Sequence, residues 1–255
     1  MLVSELLSTM TKLAKDNGLS EPFIVGGIPR DKAFDRQTEI KDLDITTGDE
    51  DSLSLGLAVA RVWPDANFKV FNDGHASMHF QNLQVDFSNN FIIPGIEKEL
   101  KKLGIDNPSN LHKEMYSRDF TINTMLQPMD LSKDVIDITG KGLLDAKNKV
   151  LRTPISALLT IGHDPRRILR ALKLAMKFDL TIAPSLKSAI VKYRGGLKEV
   201  PMNSVKKQVN EMLEIDPRKA IELLSEFKLL PILPLSRLMM REMAKNNMIQ
   251  HLLEE

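Results

Sequence analysis

The sequence predicts an α/β head domain with a small mixed sheet and flanking helices, followed by an all-α neck and a short helical C-terminal segment. Three observations support this fold class. Residues 23–36 have the pattern of a short apolar strand, a glycine turn and a helix in direct succession. Alternating apolar and polar residues, the pattern of half-buried strands, are concentrated in the first half of the chain. From about Ser156 onward the apolar spacing is almost entirely helical.

The composition is that of a folded protein without cysteine chemistry. The 255 residues suffice for two modest domains, and 42% of them are hydrophobic and 27% charged, which excludes a disordered or fibrous chain. The absence of cysteine excludes disulfides, thiolate zinc sites and cysteine nucleophiles. The N-terminal segment lacks the long apolar run of a signal peptide or a membrane span, so we expect no membrane partner and a cytoplasmic location.

The first elements of the head follow from helix signals and one glycine turn. Residues 2–17 place apolar side chains at helical spacing, and Gly18 is a typical helix end because glycine tolerates positive φ. Residues 23–25 form a short apolar strand. Pro29 suits the first turn of a helix over about 28–36, because its missing N–H is not needed there.

The next elements carry the strand pattern. Residues 41–46 alternate charged and apolar side chains, which predicts a half-buried strand. A helix is expected over about 53–63. Residues 68–71 and 77–87 are predicted to be strands joined through the turn sequence Asn72-Asp73-Gly74.

The remainder of the chain is predicted to be helical. We place a domain boundary near residue 140, so that residues 1–140 form the head, 141–215 the neck and 216–255 a truncated helical body. The helices predicted after this boundary cover about 165–178, 184–193, 205–213, 218–227 and 235–253.

Charge is divided unevenly along the chain. The formal net charge is +1, but residues 147–207 contain 14 Lys and Arg against 3 Asp and Glu, a local charge of +11 that leaves −10 for the rest. A basic segment of this kind is suited to binding phosphates, and an acidic remainder to binding metal ions. Solvated helical faces would account for the same distribution.

Two carboxylates on one predicted strand indicate a metal site. Asp42 and Asp44 are two residues apart, so both side chains point to the same face of the strand. Mg²⁺ is usually held by one or two carboxylates together with substrate phosphates. Asp86, on a further predicted strand, supplies the third acid that two-metal nucleotidyl transfer requires. Without further context such a pair is more often a solvated strand edge.

A glycine pair precedes the first predicted helix of the sheet region. Gly26 and Gly27 would let the backbone approach a triphosphate closely and direct N–H groups toward it. The alternative is an ordinary strand-to-helix turn. Arg30 could reach a phosphate or form a structural pair with a nearby aspartate, and the sequence favours neither.

Five segments, taken in order, resemble the class II tRNA nucleotidyltransferase and bacterial poly(A) polymerase family, within the DNA polymerase β superfamily. The first joins the glycine turn, FIVGGIPRD at 23–31, to the strand Asp42-Leu43-Asp44. The other four are the third-carboxylate strand VDFSN at 85–89, the block SRDFTINTM at 117–125, the stretch DITGKGLLD at 137–145 with LRTP at 151–154, and the helix DPRRILRALKL at 164–174. The resemblance covers roughly residues 1 to 235.

This resemblance implies a polymerase β-like head and a role for each matching residue. Asp42 and Asp44 are implied to bind two magnesium ions, and Asp86 to complete the acidic cluster near the primer 3′-hydroxyl. The residues implied to contact the sugar and phosphates of the nucleotide are Arg118, Asp119 and Asn123, beside Gly26, Gly27 and Arg30.

The helix at 164–174 is implied to select the base. Asp164 and Arg167 would read its edge, because a carboxylate accepts and a guanidinium donates hydrogen bonds. Arg170 follows one turn later on the same helix face, where it would orient Arg167 or contact phosphate. Apart from the resemblance, Asp164 to Arg170 would be a helix cap followed by a solvated basic stripe.

The implied function is a template-independent, Mg²⁺-dependent RNA nucleotidyltransferase that adds CMP and AMP, from CTP and ATP, to the 3′ end of tRNA. Alternatives are partial activity, meaning CC addition, A addition or poly(A) tailing, and a non-catalytic RNA-binding remnant that uses the basic segment. Two departures from the family pattern bear on nucleotide selectivity: Ser117 replaces an arginine and His163 replaces an acid.

The C-terminal part is expected to be short for the family. Members usually continue into helical body and tail domains that hold the tRNA, and we expect this chain to lack most of them. A methionine-rich stretch in the last predicted helix would either fill a core or form a partner-facing surface, and in the second case we expect a homodimer. Its methionines are Met239, Met240, Met243 and Met248.

Overall fold

The computed structural model describes residues 3–36, 39–80, 82–88 and 91–233. The chain divides into two units between Asn148 and Lys149. The predicted ranges 1–140, 141–215 and 216–255 and their functional labels stay predictions. The helix predicted at 235–253, with its methionines, lies outside the described residues. In the ranges that are described, every helix is too short or too polar to cross a membrane.

The first unit is built on a mixed sheet with seven strands in its described residues. The strand order is β3-β4-β5-β2-β1-β6-β7, in which β2 and β5 are parallel and the other neighbours are antiparallel. This confirms the predicted head with a small mixed sheet. The strands are β1 (Phe23–Val25), β2 (Asp42–Thr46), β3 (Asn67–Val70), β4 (Ala76–Phe80), β5 (Leu83–Phe87), β6 (Met125–Pro128) and β7 (Ile136–Asp137).

Six α-helices and one 3₁₀ turn flank these strands in the described part of the unit. The predicted N-terminal helix is confirmed, and Gly18 follows it with a φ of 65°. The helices are α1 (Val3–Asp16), α2 (Gly27–Ala33), α3 (Asp51–Val62), α4 (Ile96–Lys102), α5 (Asn110–Ser117) and α6 (Gly142–Lys147), and the 3₁₀ turn is Thr121–Asn123.

One face of the sheet forms the main core of this unit. Helices α1 and α3 cover that face, where Leu6 of α1 and Leu55 of α3 pack with Leu43 of β2 and Val85 and Phe87 of β5. All five side chains are almost completely buried. Strand residues alternate between the two faces of a sheet. The residues next to these core side chains, which are Asp42 and Asp44 of β2 and Asp86 of β5, therefore point to the opposite face.

Part of that opposite face is covered by α5. Met115 of α5 packs against Val25 of β1 and Leu126 of β6, and the three form a second, smaller buried cluster. Helix α5 therefore lies beside the aspartate-bearing strands.

Two of the differences between the structure and the sequence prediction lie in residues 77–117. Residues 77–87 form two antiparallel strands, β4 and β5, rather than one, and Phe80 pairs with Leu83 across the turn. Both strands keep the same alternation, so the pattern does not reveal the turn between them, where Asn82 is a typical turn residue. Helices α4 and α5 lie in 96–117, where no helix is predicted from the sequence.

The second unit is mainly helical, as predicted. It also contains a parallel pair of two-residue strands, β8 (Val150–Leu151) and β9 (Thr181–Ile182), which are too short to produce a sequence pattern. Its described helices are α7 (Ala157–His163), α8 (Arg166–Phe178), α9 (Pro184–Tyr193), α10 (Met202–Ile215) and α11 (Pro217–Glu226), with a 3₁₀ turn at Arg194–Glu199.

Candidate functional site

The three predicted acids lie on two neighbouring parallel strands, on the face opposite the core. Asp42 and Asp44 are exposed on β2, and Asp86 is half-buried on β5. Asp44 and Asp86 are paired directly in register, so their side chains share one face, on strands that lie about 4.8 Å apart. Gln84 Nε2 donates a hydrogen bond of 2.8 Å to Asp86 Oδ2. The structure therefore brings together the acids that the sequence singled out.

The glycine turn lies directly against one of these acids. Gly26 has φ 76° and ψ −116°, a conformation that L side chains rarely adopt. A Cβ atom at Gly26 would lie 2.6 Å from Asp44 Oδ2, far inside van der Waals contact. At Gly27 a Cβ atom would make an ordinary 3.6 Å contact with Arg30 Nη2. Gly26 is thus required both by its backbone conformation and by the closeness of the Asp44 carboxylate.

Arg30 has its structural partner in the next residue. Its Nε and Nη2 donate to Asp31 Oδ1 at 2.8 and 2.6 Å, and its Nη1 donates to Asn123 Oδ1 at 3.3 Å. Asn123 Nδ2 donates in turn to Asp119 Oδ1 at 2.8 Å. Of the two roles open to Arg30 from the sequence, the structure shows the pairing with an aspartate. Three predicted nucleotide-binding residues, Arg30, Asn123 and Asp119, are joined in one network.

Asp119 is 4% exposed, and it also accepts a hydrogen bond from its neighbour. The Phe120 N–H donates to Asp119 Oδ1 at 2.9 Å, at the entrance to the 3₁₀ turn. Asn123, at the end of that turn, is 7% exposed. In this structure both side chains therefore stabilise the turn that follows Arg118.

One further acid near this site, Glu114, was not singled out from the sequence. It lies on α5 and is buried, and its Oε1 accepts a hydrogen bond of 2.9 Å from Nη2 of Arg118, the predicted nucleotide-contact arginine. The four-residue spacing of this pair is the one detectable signal, since i and i+4 are neighbours on a helix. The burial of Glu114 depends on the packing of α5 against the sheet.

The donor set on the carboxylate face suits a hard divalent cation that also binds a phosphate-containing substrate. Among the residues that the structure describes, no three His, Asp or Glu side chains converge as a complete metal-ligand group. Asp42 and Asp44 still offer two carboxylates, the usual protein contribution to a Mg²⁺ ion whose other ligands are water and phosphate oxygens. The residues present therefore fit an ion that a nucleotide helps to hold.

In the second unit Asp164 lies just before helix α8 and pairs with Arg166. Its Oδ1 accepts hydrogen bonds from the Arg166 backbone N–H at 3.0 Å and from Arg166 Nε at 2.8 Å. Burial raises the pKa of Asp164, but the hydrogen bonds from Arg166 and the charges of Arg166 and Arg167 outweigh it, so this pKa lies below its usual 3.8. The observed contacts are those of the helix-cap alternative, and a base-reading role for Asp164 stays a prediction.

Arg167 and Arg170 do not share one environment. Arg167 is 7% exposed, whereas Arg170 is exposed to solvent. Three residues on a helix are about 60° apart around its axis, which is enough to separate the buried and exposed sides. The hydrogen bond and charge of Asp164 raise the pKa of Arg166, and the positive charge of Arg170, four residues later on the helix, partly opposes this rise. Both roles predicted for Arg170, orienting Arg167 and contacting phosphate, stay predictions.

The sequence is similar to one protein family and to enzymes of known name. Residues 22–152 match the sequence family described as the poly(A) polymerase head domain. The tRNA nucleotidyltransferase cca2 of Schizosaccharomyces pombe is 36% identical over 121 residues, which cover 46% of this chain and 25% of that protein. The CC-adding tRNA nucleotidyltransferase of Halalkalibacterium halodurans is 28% identical over 212 residues, which cover 83% of this chain and 49% of that protein. The chain thus spans half or less of the length of these curated relatives.

The fold is similar to that of a solved enzyme. The structure of the Thermotoga maritima CCA-adding enzyme complexed with tRNA aligns with a TM-score of 0.67 and 24% identity, over 88% of this chain and 50% of that one. At this identity the likeness concerns the fold, and it confirms the predicted order of an α/β head followed by helices.

Proposed function

Because the chain belongs to the poly(A) polymerase head-domain family, we propose that it is a template-independent RNA nucleotidyltransferase that adds CMP and AMP, from CTP and ATP, to the 3′ end of tRNA. The substrate class is supported by the two relatives, which are named as tRNA nucleotidyltransferases. The acceptor, both nucleotides and the cytoplasmic location are parts of this proposal, and so is a homodimer.

The observation that carries the proposal is the pairing of Asp44 with Asp86 on one sheet face, next to the Gly26 backbone. Nucleotidyl transfer requires anionic oxygens close to a point where the backbone leaves room for a triphosphate. All three residues lie within the segment that matches the family. A solvated strand edge would not require a glycine packed against its carboxylate.

Each group of residues has a distinct task in the proposed reaction. Members of the family use a divalent metal ion, and we assign two Mg²⁺ ions to Asp42 and Asp44, of which one would activate the attacking hydroxyl and the other would stabilise the leaving pyrophosphate. Asp86 would orient the primer 3′-hydroxyl beside Asp44. Arg118 would neutralise phosphate charge as a guanidinium donor.

The remaining predicted residues shape and select the nucleotide. The network of Arg30, Asn123 and Asp119 would hold the turn that faces the sugar, through the hydrogen bonds described above. In the second unit, Asp164 and Arg167 would read the base edge in place of a nucleic-acid template. This role requires Asp164 to exchange its contact with Arg166 for one with the base.

The second candidate function is partial activity. One relative is named as CC-adding, which favours addition of CC alone as the first form to test. Ser117 in place of an arginine and His163 in place of an acid bear on the same question, because both flank residues assigned to the nucleotide. A-adding and poly(A)-adding forms differ from it in the length and sequence of the product.

The full 255-residue chain, incubated with Mg²⁺, labelled CTP or ATP and tRNA that lacks its CCA end, tests the proposal. We expect incorporation, and sequencing of the products separates CCA, CC, A and poly(A) addition. Asp42→Ala is expected to abolish incorporation and to retain RNA binding, whereas Asp65→Ala, at an exposed turn after α3, retains both. RNA binding by the wild-type chain without incorporation on any RNA acceptor would instead identify a non-catalytic RNA-binding remnant.

A further inference from the structure

Glu114 has no task in the reaction as proposed, yet its carboxylate is held in place by three hydrogen bonds. The residue is 2% exposed. Its Oε2 accepts a bond of 2.6 Å from Thr46 Oγ1, and its Oε1 accepts bonds of 3.2 Å from Ser88 Oγ and 2.9 Å from Arg118 Nη2. A buried carboxylate is costly unless it is paired and hydrogen-bonded, so this arrangement fixes the side chain in one position.

Two of these partners lie at the ends of the strands that carry the paired aspartates, Thr46 as the last residue of β2 and Ser88 directly after β5. Thr46 lies two residues after Asp44, and Ser88 lies two residues after Asp86. Because strand side chains alternate, Thr46 is on the same face as Asp44, and the Ser88 N–H continues the pairing of the two strands by donating to the Ile45 carbonyl. Glu114 therefore bonds both strands at the end that follows the carboxylates.

The helix that carries Glu114 is packed closely against the end of β2. Gly48, just beyond that strand, has a φ of 76°, and a Cβ atom there would lie 2.6 Å from Leu111 Cβ of α5. The Gly48 N–H also donates to Thr46 Oγ1 at 2.9 Å. The distance between Glu114 and the carboxylate-bearing strands is thus set by close backbone packing.

We propose that Glu114 is a positioning residue that acts through Arg118, holding its guanidinium at the edge of the carboxylate face where the nucleotide phosphates bind. Arg118 is at the C-terminal end of α5, one turn from Glu114, so the ion pair restricts a long and otherwise mobile side chain. Since a guanidinium has five N–H donors, its bond to Glu114 leaves others for phosphate oxygens. This inference rests on the proposed nucleotidyl transfer.

A double-mutant cycle distinguishes positioning through Arg118 from a general structural role. CTP and ATP dissociation constants and kcat are measured for Glu114→Gln, Arg118→Met and the double variant, with thermal melts to establish folding. Loss of a charge-assisted bond is expected to raise the dissociation constant of Glu114→Gln about tenfold or more. On the Arg118→Met background the same substitution is expected to have almost no further effect.

Glu97→Gln is the matched control. Glu97 pairs with Lys113 Nζ at 2.6 Å, so the substitution removes an ion pair from the residue next to Glu114 on the same helix, by the same Glu-to-Gln change. It is expected to leave nucleotide affinity unchanged. Ser88→Ala is a milder probe in case Glu114→Gln does not fold, and it should raise the dissociation constant about twofold to threefold, again only when Arg118 is present.

The outcomes separate this inference from the function on which it rests. Equal losses on both backgrounds, with an active wild-type chain, would overturn the role of Glu114 and leave the proposed function intact. A wild-type chain that binds neither CTP nor ATP would overturn both. A loss in Glu97→Gln as large as that in Glu114→Gln would assign the effect to α5 as a whole and would also overturn it.

Discussion

The contact between Gly26 and the Asp44 carboxylate leads to a sharp prediction for Gly26→Ala. The new Cβ would start 2.6 Å from Asp44 Oδ2, and ordinary contact begins at 3.4 Å, so one of the two must move by about 0.8 Å. The carboxylate is the freer group, because it ends an exposed side chain. The substitution should therefore displace the acid that we assign to the metal ion.

Two magnitudes follow from this geometry. A non-glycine residue in such a backbone conformation costs about 1–3 kcal/mol of the free energy of unfolding. A displacement of nearly 1 Å at a reacting group lowers turnover about a hundredfold. The loss of activity should therefore exceed what partial unfolding explains, since a chain that is mostly folded would still be mostly active.

Gly18→Ala provides the control for backbone strain. Gly18 also has a positive φ, of 65°, but a Cβ atom there would meet nothing within 4 Å. We expect urea unfolding to show a loss of stability in both variants, and CMP incorporation under single-turnover conditions to fall only in Gly26→Ala. If folded Gly26→Ala were as active as Gly18→Ala, the assignment of Asp44 to the reacting centre would be wrong.

Three further predictions concern other parts of the molecule. Phe87→Ala removes a fully buried ring from the main core and should lower the free energy of unfolding by about 3–5 kcal/mol in urea titrations, whereas exposed Phe71→Ala should cost much less. The lowered pKa of Asp164 stabilises the folded state above its usual value of 3.8, and this contribution is lost as pH falls through the lower folded value. The stability difference between wild type and Asp164→Asn should therefore shrink in acid, and a difference that is constant with pH would contradict the pairing with Arg166. RNA binding should weaken as the salt concentration rises. If the exposed Lys206 and Lys207 both contact phosphate, replacing them by Ala should reduce the magnitude of the slope of log binding constant against log salt concentration by up to about 2. An unchanged slope would show that they do not contact phosphate.

Local pattern was enough to predict the parts of the fold that depend on neighbouring residues. The two-residue spacing of Asp42 and Asp44 placed them on one strand face, and the alternating apolar residues Leu43 and Ile45 pointed to the core. The glycine turn and Pro29 predicted the change from strand to helix at α2, within a few residues of its observed start. These features depend on residues two to four positions apart, so they can be recognised in the sequence without knowledge of the tertiary contacts.

The sequence alone therefore predicted the fold class, the order of the motifs and the three strand aspartates of the candidate site, because strand and helix periodicity and turn chemistry are local. The tertiary structure decided which partner each side chain has. Arg30 bonds to Asp31 and Asn123, and Arg166 bonds to Asp164. Glu114 bonds to Thr46, which lies 68 residues earlier in the chain. The contact of Glu114 with Thr46 depends on how α5 packs on the sheet, which no spacing in the sequence encodes. The other contacts depend on which of several nearby donors and acceptors are closest after folding.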